Sequence, residues 1–259
     1  MRKVYEENTR MLVPERQPYA GELVFTAFSG SHQDAIKKGM DLRTESDGNT
    51  TPWAVPYLTI DPQDINRNYK SIIRINSQSG KGGIAYILDR EWGLDLPKAM
   101  HPEVGVIMNA VADKQSKELS SREIHDVFKQ EFINQASPLT LNDYQLSADS
   151  KDKTIVLCTA AITLNEKAIT IHGNGNGPIN AFVHALETQS LKNFNLIDYR
   201  SHAIGKGSAT HSAAYIQVER NQDKQSFWGC GIHTSIEMAG LIALVSAYNR
   251  ANRDLITRD

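Results

Sequence analysis

Hydrophobic positions around residue 175 change their spacing from that of a β-strand to that of a helix. Residues 169–172 form a short β-like run, and three glycines at alternate positions and a proline follow. The next apolar residues fall at i, i+3, i+4 and i+7, which is one face of a helix. Those residues are Ile179, Phe182, Val183 and Leu186. A proline suits the first helical position, where its missing N–H costs nothing. The pattern therefore predicts a strand, a glycine-rich turn and a helix.

A second stretch, residues 226–241, repeats this order of strand, glycine-rich turn and helix. Thr234 or Ser235 is a candidate N-cap for the second helix. Ile236 is predicted to take the place that Ile179 has in the first copy. Two copies of one unit predict a duplicated domain with a small ligand between the two helix starts, where free N–H groups favour a carboxylate. The alternative interpretation is a tight turn whose glycines adopt positive φ.

The same periodicities predict the remaining elements. Predicted helices cover residues 1–13, 33–40, 102–114, 121–132, 178–192 and 235–250. Predicted strands cover residues 23–28, 71–76, 154–162, 168–172, 194–200, 213–220 and 225–229. Residues 134–153 are polar and are predicted to contain a domain boundary. The last hundred or so residues therefore form a β-rich α+β domain with two helices on one face of its sheets.

Composition narrows the class of protein. The 259 residues are 40% hydrophobic and 22% charged, which is typical of a globular protein. A formal charge of −2 argues against a general nucleic-acid or membrane-surface binder. The apolar run at 238–248 is too short to span a bilayer, and no signal peptide is recognisable. Cys158 and Cys230 are predicted to be buried free thiols, and a cytoplasmic location is expected.

Candidate chemistry is sparse. His32 follows a β-like run and precedes a predicted helix, where the helix dipole favours a neutral imidazole suited to a general base. The alternative is a capping or packing histidine. Gly80 and Lys81 resemble part of a phosphate-binding loop, but the upstream glycine and the Ser/Thr after lysine are absent. No compact metal motif is present, and length and pattern exclude a complete TIM barrel.

Long motifs resemble one known family. Residues 14–36 are similar to the stretch after the catalytic barrel of 2-isopropylmalate synthase, residues 55–62 and 74–83 to its linker, and residues 173–186 and 228–251 to its leucine-sensing domain. The resemblance implies small helical or mixed linker subdomains followed by a duplicated β-rich α+β regulatory domain. The implied domains are a barrel tail at 1–24, linker subdomain I at 25–65, linker subdomain II at 66–134 and the regulatory domain at 135–259.

The resemblance also implies an activity. The family condenses acetyl-CoA, 2-oxoisovalerate and water to 2-isopropylmalate and CoA, with a divalent metal (Zn, Mg or Mn) on the barrel. Because the barrel is missing here, we expect no cofactor in this chain and no catalysis by it alone. His32 and Tyr57 resemble the linker residues that reach into the partner subunit's barrel and assist catalysis. A barrel-containing synthase chain is therefore a potential partner.

By the same resemblance the C-terminal domain binds leucine at a homodimer interface. The matching positions are Gly175, Gly177, Ile179, Asn180, Tyr199, Ala203 and Ile236. Three alternatives stay open at this point. The chain could be a stand-alone effector-binding module acting in trans, the equivalent part of a homocitrate or citramalate synthase with lysine or isoleucine as effector, or a phosphate- or nucleotide-binding protein built on Gly80 and Lys81.

Overall fold

The computed structural model describes residues 2–21, 23–27, 30–45, 52–67, 81–115, 119–205, 207 and 210–256. They divide into two compact units, each with its own buried core. The first unit comprises Met1–Trp92 and His101–Ile124, and the second comprises Gly93–Met100 and His125–Asp259. The predicted domain boundaries stay predictions, because the two units are a coarser division of the chain.

The first unit is helical where it is described. Its helices are α1 (Arg2–Thr9), α2 (Gly30–Glu45), α3 (Lys81–Trp92) and α4 (His101–Gln115), with a short 3₁₀ turn at Pro62–Ile65. Helix α3 packs against both α2 and α4. Its residues Ile84 and Leu88 are fully buried. The glycine-rich stretch before α3 lies outside the described residues, as do Gly80 and the strand predicted at 71–76.

One predicted strand of the first unit is wrong over its described part. Leu23, Val24 and Phe25 form a turn rather than a strand. The Thr26 N–H donates to the Leu23 carbonyl at 3.2 Å, which closes the turn. Of the described residues in this predicted strand, Ala27 alone makes a β-bridge. Phe25 is buried, whereas Leu23 and Val24 are partly buried, so a run of apolar residues in a turn here imitates the pattern of a strand.

The second unit contains two three-stranded antiparallel sheets, each covered by one helix, and one further helix. The sheets have the orders β1-β2-β3 and β4-β5-β6. The elements are α5 (Ser121–Phe132), which begins in the first unit, β1 (Leu139–Ala148), β2 (Val156–Leu164), β3 (Lys167–Gly175), α6 (Pro178–Glu187), β4 (Phe194–Ile204), β5 (His211–Arg220), β6 (Ser226–His233) and α7 (Ile236–Ile256). Helix α6 packs on β2 and β3, and α7 packs on β5 and β6. This confirms the predicted α+β class and the duplicated unit.

Strand β1 is not among the strands predicted from the sequence. It lies within the polar segment 134–153, for which the sequence predicts a boundary region. Leu139 of β1 is fully buried while Asn142 and Gln145 are exposed, and a register shift between Leu141 and Asp143 interrupts the alternation of the two faces. The polar residues of the exposed face outnumber the apolar ones, and this hides the alternation that marks a strand.

The core of the second unit encloses both cysteines as free thiols, as predicted. Burial raises the pKa of the Cys158 thiol to about 11 and raises the pKa of the Cys230 thiol as well. Both groups therefore stay protonated and unreactive at neutral pH. None of the described helices is long and apolar enough to cross a membrane.

Candidate functional site

The three alternating glycines at the start of α6 have different roles. A Cβ on Gly173 would overlap the backbone of Ala181 and Ala185, so this glycine lets α6 lie directly on β3. Gly175 lies in the same way against Asn180 and Ala181. A Cβ on Gly177, by contrast, would meet nothing within 4 Å. None of the three has positive φ, so the interpretation as a left-handed turn is wrong.

Gly177 is the N-cap of α6 and leaves the helix start without a side-chain cap. Its backbone is extended, with φ −177° and ψ 173°. Its carbonyl accepts the Ala181 N–H at 2.9 Å. Pro178 has no N–H to donate. The N–H groups of Ile179 and Asn180 are therefore the unfilled donors of the first turn.

Helix α7 begins at the equivalent place in the second repeat, but the side chain of its N-cap residue, Ser235, caps it. The Met238 N–H donates to Ser235 Oγ at 3.3 Å, and the Ala239 N–H donates to the Ser235 carbonyl at 3.0 Å. Ser235, one of the two predicted N-caps, therefore occupies the position that Gly177 has in α6. The second repeat thus fills a donor of the helix start that the first repeat leaves exposed.

This equivalence corrects the predicted alignment of the two copies. A Cβ on Gly231 would overlap the backbone of Ala239 and Ala243, as one on Gly173 would overlap that of Ala181 and Ala185. The matched spacing sets Ile236 opposite Pro178 rather than opposite Ile179. Ile236 and Ile179 thus approach the site from non-equivalent positions of the two helices.

A cavity of about 490 Å³ lies between the starts of α6 and α7. Five of the seven predicted effector-binding residues line it: Gly177, Ile179, Asn180, Tyr199 and Ile236. The other lining residues are Asn176, Pro178, Val183, Leu196, Glu237 and Gly240. Gly175 and Ala203 are not among them. Gly175 lies beneath Asn180, and Ala203 lies farther along β4, where it pairs with Ser212.

The lining is mainly apolar and partly open. Ile236 is 64% exposed and Tyr199 is 39% exposed, although both are large side chains on regular elements. On the α7 side, a Cβ on Gly240 would come within 3.3 Å of Ile179 Cδ1 and 3.6 Å of the Tyr199 hydroxyl. The absence of a side chain at Gly240 therefore keeps this end of the cavity open. A small apolar ligand would cover exposed hydrophobic surface here.

Asn180 helps to build the turn that forms one wall of the cavity. Its side-chain oxygen accepts the Asn176 N–H at 3.1 Å. His184, one helical turn later, contacts the Asn174 carbonyl through Nδ1 at 2.6 Å. These contacts hold the chain before Gly177 in place without occupying the N–H groups of the helix start.

Several lining residues are not among those predicted from the sequence. Val183 could have been found, because it is four residues after Ile179 on the same helical face. Leu196 could not, because simple alternation sets it on the opposite face of β4 from Tyr199. The register shift between Leu196 and Asp198 brings both onto one face. Glu237 carries no signal beyond its place in a first helical turn.

At the start of α7 the N-cap is a serine, and a tyrosine hydroxyl lies close to it. Tyr144 follows a register shift in β1 as Tyr199 does in β4. Its hydroxyl lies 3.4 Å from Ser235 Oγ. At the start of α6 the serine is replaced by Gly177, so no equivalent N-cap hydroxyl faces Tyr199.

The predicted pair His32 and Tyr57 lies in the first unit, far from these helices in sequence. Their ring centroids are 4.0 Å apart at an interplanar angle of 31°. Both line a cavity of about 280 Å³ whose other walls include Phe25 and Ile36. His32 is in the first turn of α2, as the sequence predicts.

The backbone at Tyr57 is strained. Its φ of 64° lies in the left-handed region, which non-glycine residues rarely adopt. The side chain is 64% exposed despite its size. Strain and exposure at one aromatic residue are typical of functional positions.

The described residues offer no donor set for the divalent metal that the resemblance implies. Among them, no group of three or more histidine, cysteine or carboxylate side chains could hold a metal ion.

Comparison with known proteins covers nearly the whole chain. Residues 22–89 match the family model described as "Alpha-isopropylmalate synthase, post-catalytic domain-like", and residues 118–252 match the "LeuA allosteric (dimerisation) domain". A protein named 2-isopropylmalate synthase from Clostridium acetobutylicum is 46% identical over 252 residues, which are 96% of this chain and 44% of the relative. A protein of that name from Schizosaccharomyces pombe is 43% identical over 256 residues, covering 97% of this chain and 44% of the relative. The chain thus spans less than half the length of the curated relatives it matches.

Proposed function

Because the chain belongs to the 2-isopropylmalate synthase family, we propose that its second unit is an allosteric sensor that binds leucine as a feedback inhibitor. The cavity between α6 and α7 would be the leucine site. Together with a catalytic barrel, the chain would form an enzyme that converts acetyl-CoA, 2-oxoisovalerate and water into 2-isopropylmalate and CoA. This chain alone would not catalyse it.

The observation that carries the proposal is the combination of an uncapped helix start and an apolar wall in one cavity. The N–H groups of Ile179 and Asn180, with the positive end of the α6 dipole, suit an α-carboxylate. Ile179, Leu196 and Ile236 supply apolar surface for an isobutyl group. The volume of about 490 Å³ is in the usual range for small-molecule sites.

A homodimer and a cytoplasmic location belong to the same proposal. The matched family model is described as a dimerisation domain, and a partner copy would cover exposed apolar residues such as Ile236 and Ile197. The relatives are named as synthases. A barrel-containing synthase chain remains a proposed partner, and neither nucleic acid nor membrane is part of the proposal.

Calorimetric titration tests the proposal directly. We expect leucine to bind with a micromolar dissociation constant, and isoleucine, valine and lysine to bind at least about tenfold more weakly, because a misplaced methyl or a charged tail fits the apolar wall poorly. Preference for lysine would identify the effector of a homocitrate synthase, and preference for isoleucine that of a citramalate synthase. Absence of binding by all four amino acids would end the sensor proposal.

The proposal includes a second role for the first unit. His32 would act as a general acid or base beside the substrate in a partner subunit's barrel, and Tyr57 would hold the imidazole in position. Their 4.0 Å ring contact and the strained Tyr57 backbone support a pair held in a fixed orientation. Phe25 and Ile36 form the apolar side of their cavity.

A chimaera tests this role. Residues of this chain are joined after the N-terminal part of the Clostridium acetobutylicum relative that they do not match, and CoA release is measured with a thiol reagent. We expect His32→Gln to lower kcat about 100-fold and Tyr57→Phe about tenfold, which is the usual range for a lost general acid–base group and its support. Leucine affinity should not change in either variant. Wild-type kcat in both variants would reduce the pair to a packing contact.

A further inference from the structure

We propose that Glu237 binds the ammonium group of the ligand and thereby restricts the cavity to α-amino acids. The inference rests on the proposed amino-acid site and assigns the orientation of the ligand within it. The carboxylate would lie at the start of α6 and the ammonium group at the start of α7. Carboxylic acids of the same shape without an amino group would be rejected.

Both helix starts contribute to the charge at the cavity. Glu237 is the one formally charged side chain among the eleven residues that line it. It lies in the first turn of α7. Within the described part of the chain, no ion pair or hydrogen bond engages its carboxylate. Glu237 is exposed to solvent, and a bound ammonium group would give its carboxylate a direct partner.

The start of α6 attracts negative charge. It has no side-chain cap at Gly177, and it presents unfilled N–H groups at Ile179 and Asn180. At the start of α7 the corresponding N–H of Met238 is already occupied, because it donates to Ser235 Oγ. The two helix starts are therefore chemically different although they belong to equivalent repeats. This difference fixes which end of a zwitterion faces which helix.

The apolar walls of the cavity come from three elements. Ile179 comes from α6, Leu196 from β4 and Ile236 from α7. A ligand whose carboxylate and ammonium groups reach opposite helix starts would direct its side chain onto these three residues. Glu237 would thus act on the amino group, while the apolar residues select the side chain.

A helix-stabilising role for Glu237 makes a different prediction. A carboxylate in a first helical turn stabilises any helix through the dipole. Removing its charge would then lower stability and weaken every ligand to the same extent. Only a direct contact with the ammonium group makes the loss depend on whether the ligand carries one.

The test therefore compares leucine with 4-methylpentanoate, which keeps the carboxylate and the isobutyl group but has no amino group. Titration calorimetry is run on the wild-type chain, on Glu237→Gln, and on Glu166→Gln, a control in the turn between β2 and β3. We expect Glu237→Gln to bind leucine about 10- to 100-fold more weakly, as for a lost charge-assisted hydrogen bond. Its affinity for 4-methylpentanoate should be unchanged, and Glu166→Gln should resemble the wild type with both ligands.

The outcomes separate this inference from the proposed function. Equal weakening of both ligands in Glu237→Gln, or unchanged leucine binding, overturns the role of Glu237 and leaves the leucine site intact. Wild-type chain that binds 4-methylpentanoate as tightly as leucine also overturns it. Wild-type chain that binds neither ligand overturns both the site and the inference.

Discussion

Replacement of Gly177 by tryptophan is expected to abolish leucine binding and to leave the second unit folded. A Cβ at this position meets nothing within 4 Å, so the new side chain enters open space. The backbone φ of −177° is extended, a conformation that any residue adopts. Because Gly177 lines the cavity, the indole ring would occupy the volume in front of the α6 start. We expect leucine affinity to fall at least about 100-fold, the loss of a whole apolar contact set and its helix-start contacts.

A smaller substitution at the same residue separates volume from capping. Gly177→Ser reproduces the cap that Ser235 provides to α7, so its hydroxyl should accept one of the free N–H groups of α6. We expect a slightly raised melting temperature and about tenfold weaker leucine binding, because the hydroxyl competes with the ligand carboxylate. Calorimetry gives the affinities, and circular dichroism gives the melting curves. Unchanged leucine affinity in Gly177→Trp would move the binding site elsewhere.

Much of the second unit could be predicted from the sequence because its two copies repeat one pattern. Alternation and helical spacing locate α6, α7 and five of the six strands. Strand β1 is the exception, since half of its residues are polar and a register shift interrupts its alternation. The predicted strand at 23–28 fails for the opposite reason, because a run of apolar residues in a turn imitates a strand.

The candidate site was predictable where helix starts define it and unpredictable where strand geometry does. Gly177 and Ile236 could be placed at the two helix starts from local sequence. Leu196 requires knowledge of a register shift in β4, which alters the face of every later residue. The predicted equivalence of Ile179 and Ile236 fails by one residue. The correct alignment depends on which helix residues lie against the strand glycines, and the local sequence does not show these contacts.

We expect the largest effect on stability from Gly231→Val, because this glycine lies directly against the backbone of α7. Gly231 lies in β6, and a Cβ there would overlap the Ala239 carbonyl oxygen and the Ala243 amide nitrogen of α7. Both partners are backbone atoms of a buried helix, so no side-chain rotation relieves the overlap. Helix α7 would have to separate from β6, since Ala239 and Ala243, like Leu241 and Leu244, are fully buried. We expect a loss of more than about 3 kcal/mol, beyond the usual range for overpacking.

The matched control is the same substitution at Gly177, where the added side chain meets no atom within 4 Å. Gly177→Val should keep a melting temperature close to that of the wild type and lose leucine binding, whereas Gly231→Val should lose cooperative melting or remain insoluble. Thermal unfolding followed by circular dichroism compares the three proteins at equal concentration. A Gly231→Val protein that melts like the wild type would mean that α7 does not lie directly on β6. The two glycines thus have different roles. Gly231 permits the close contact between β6 and α7, and Gly177 keeps the space in front of α6 open for a ligand.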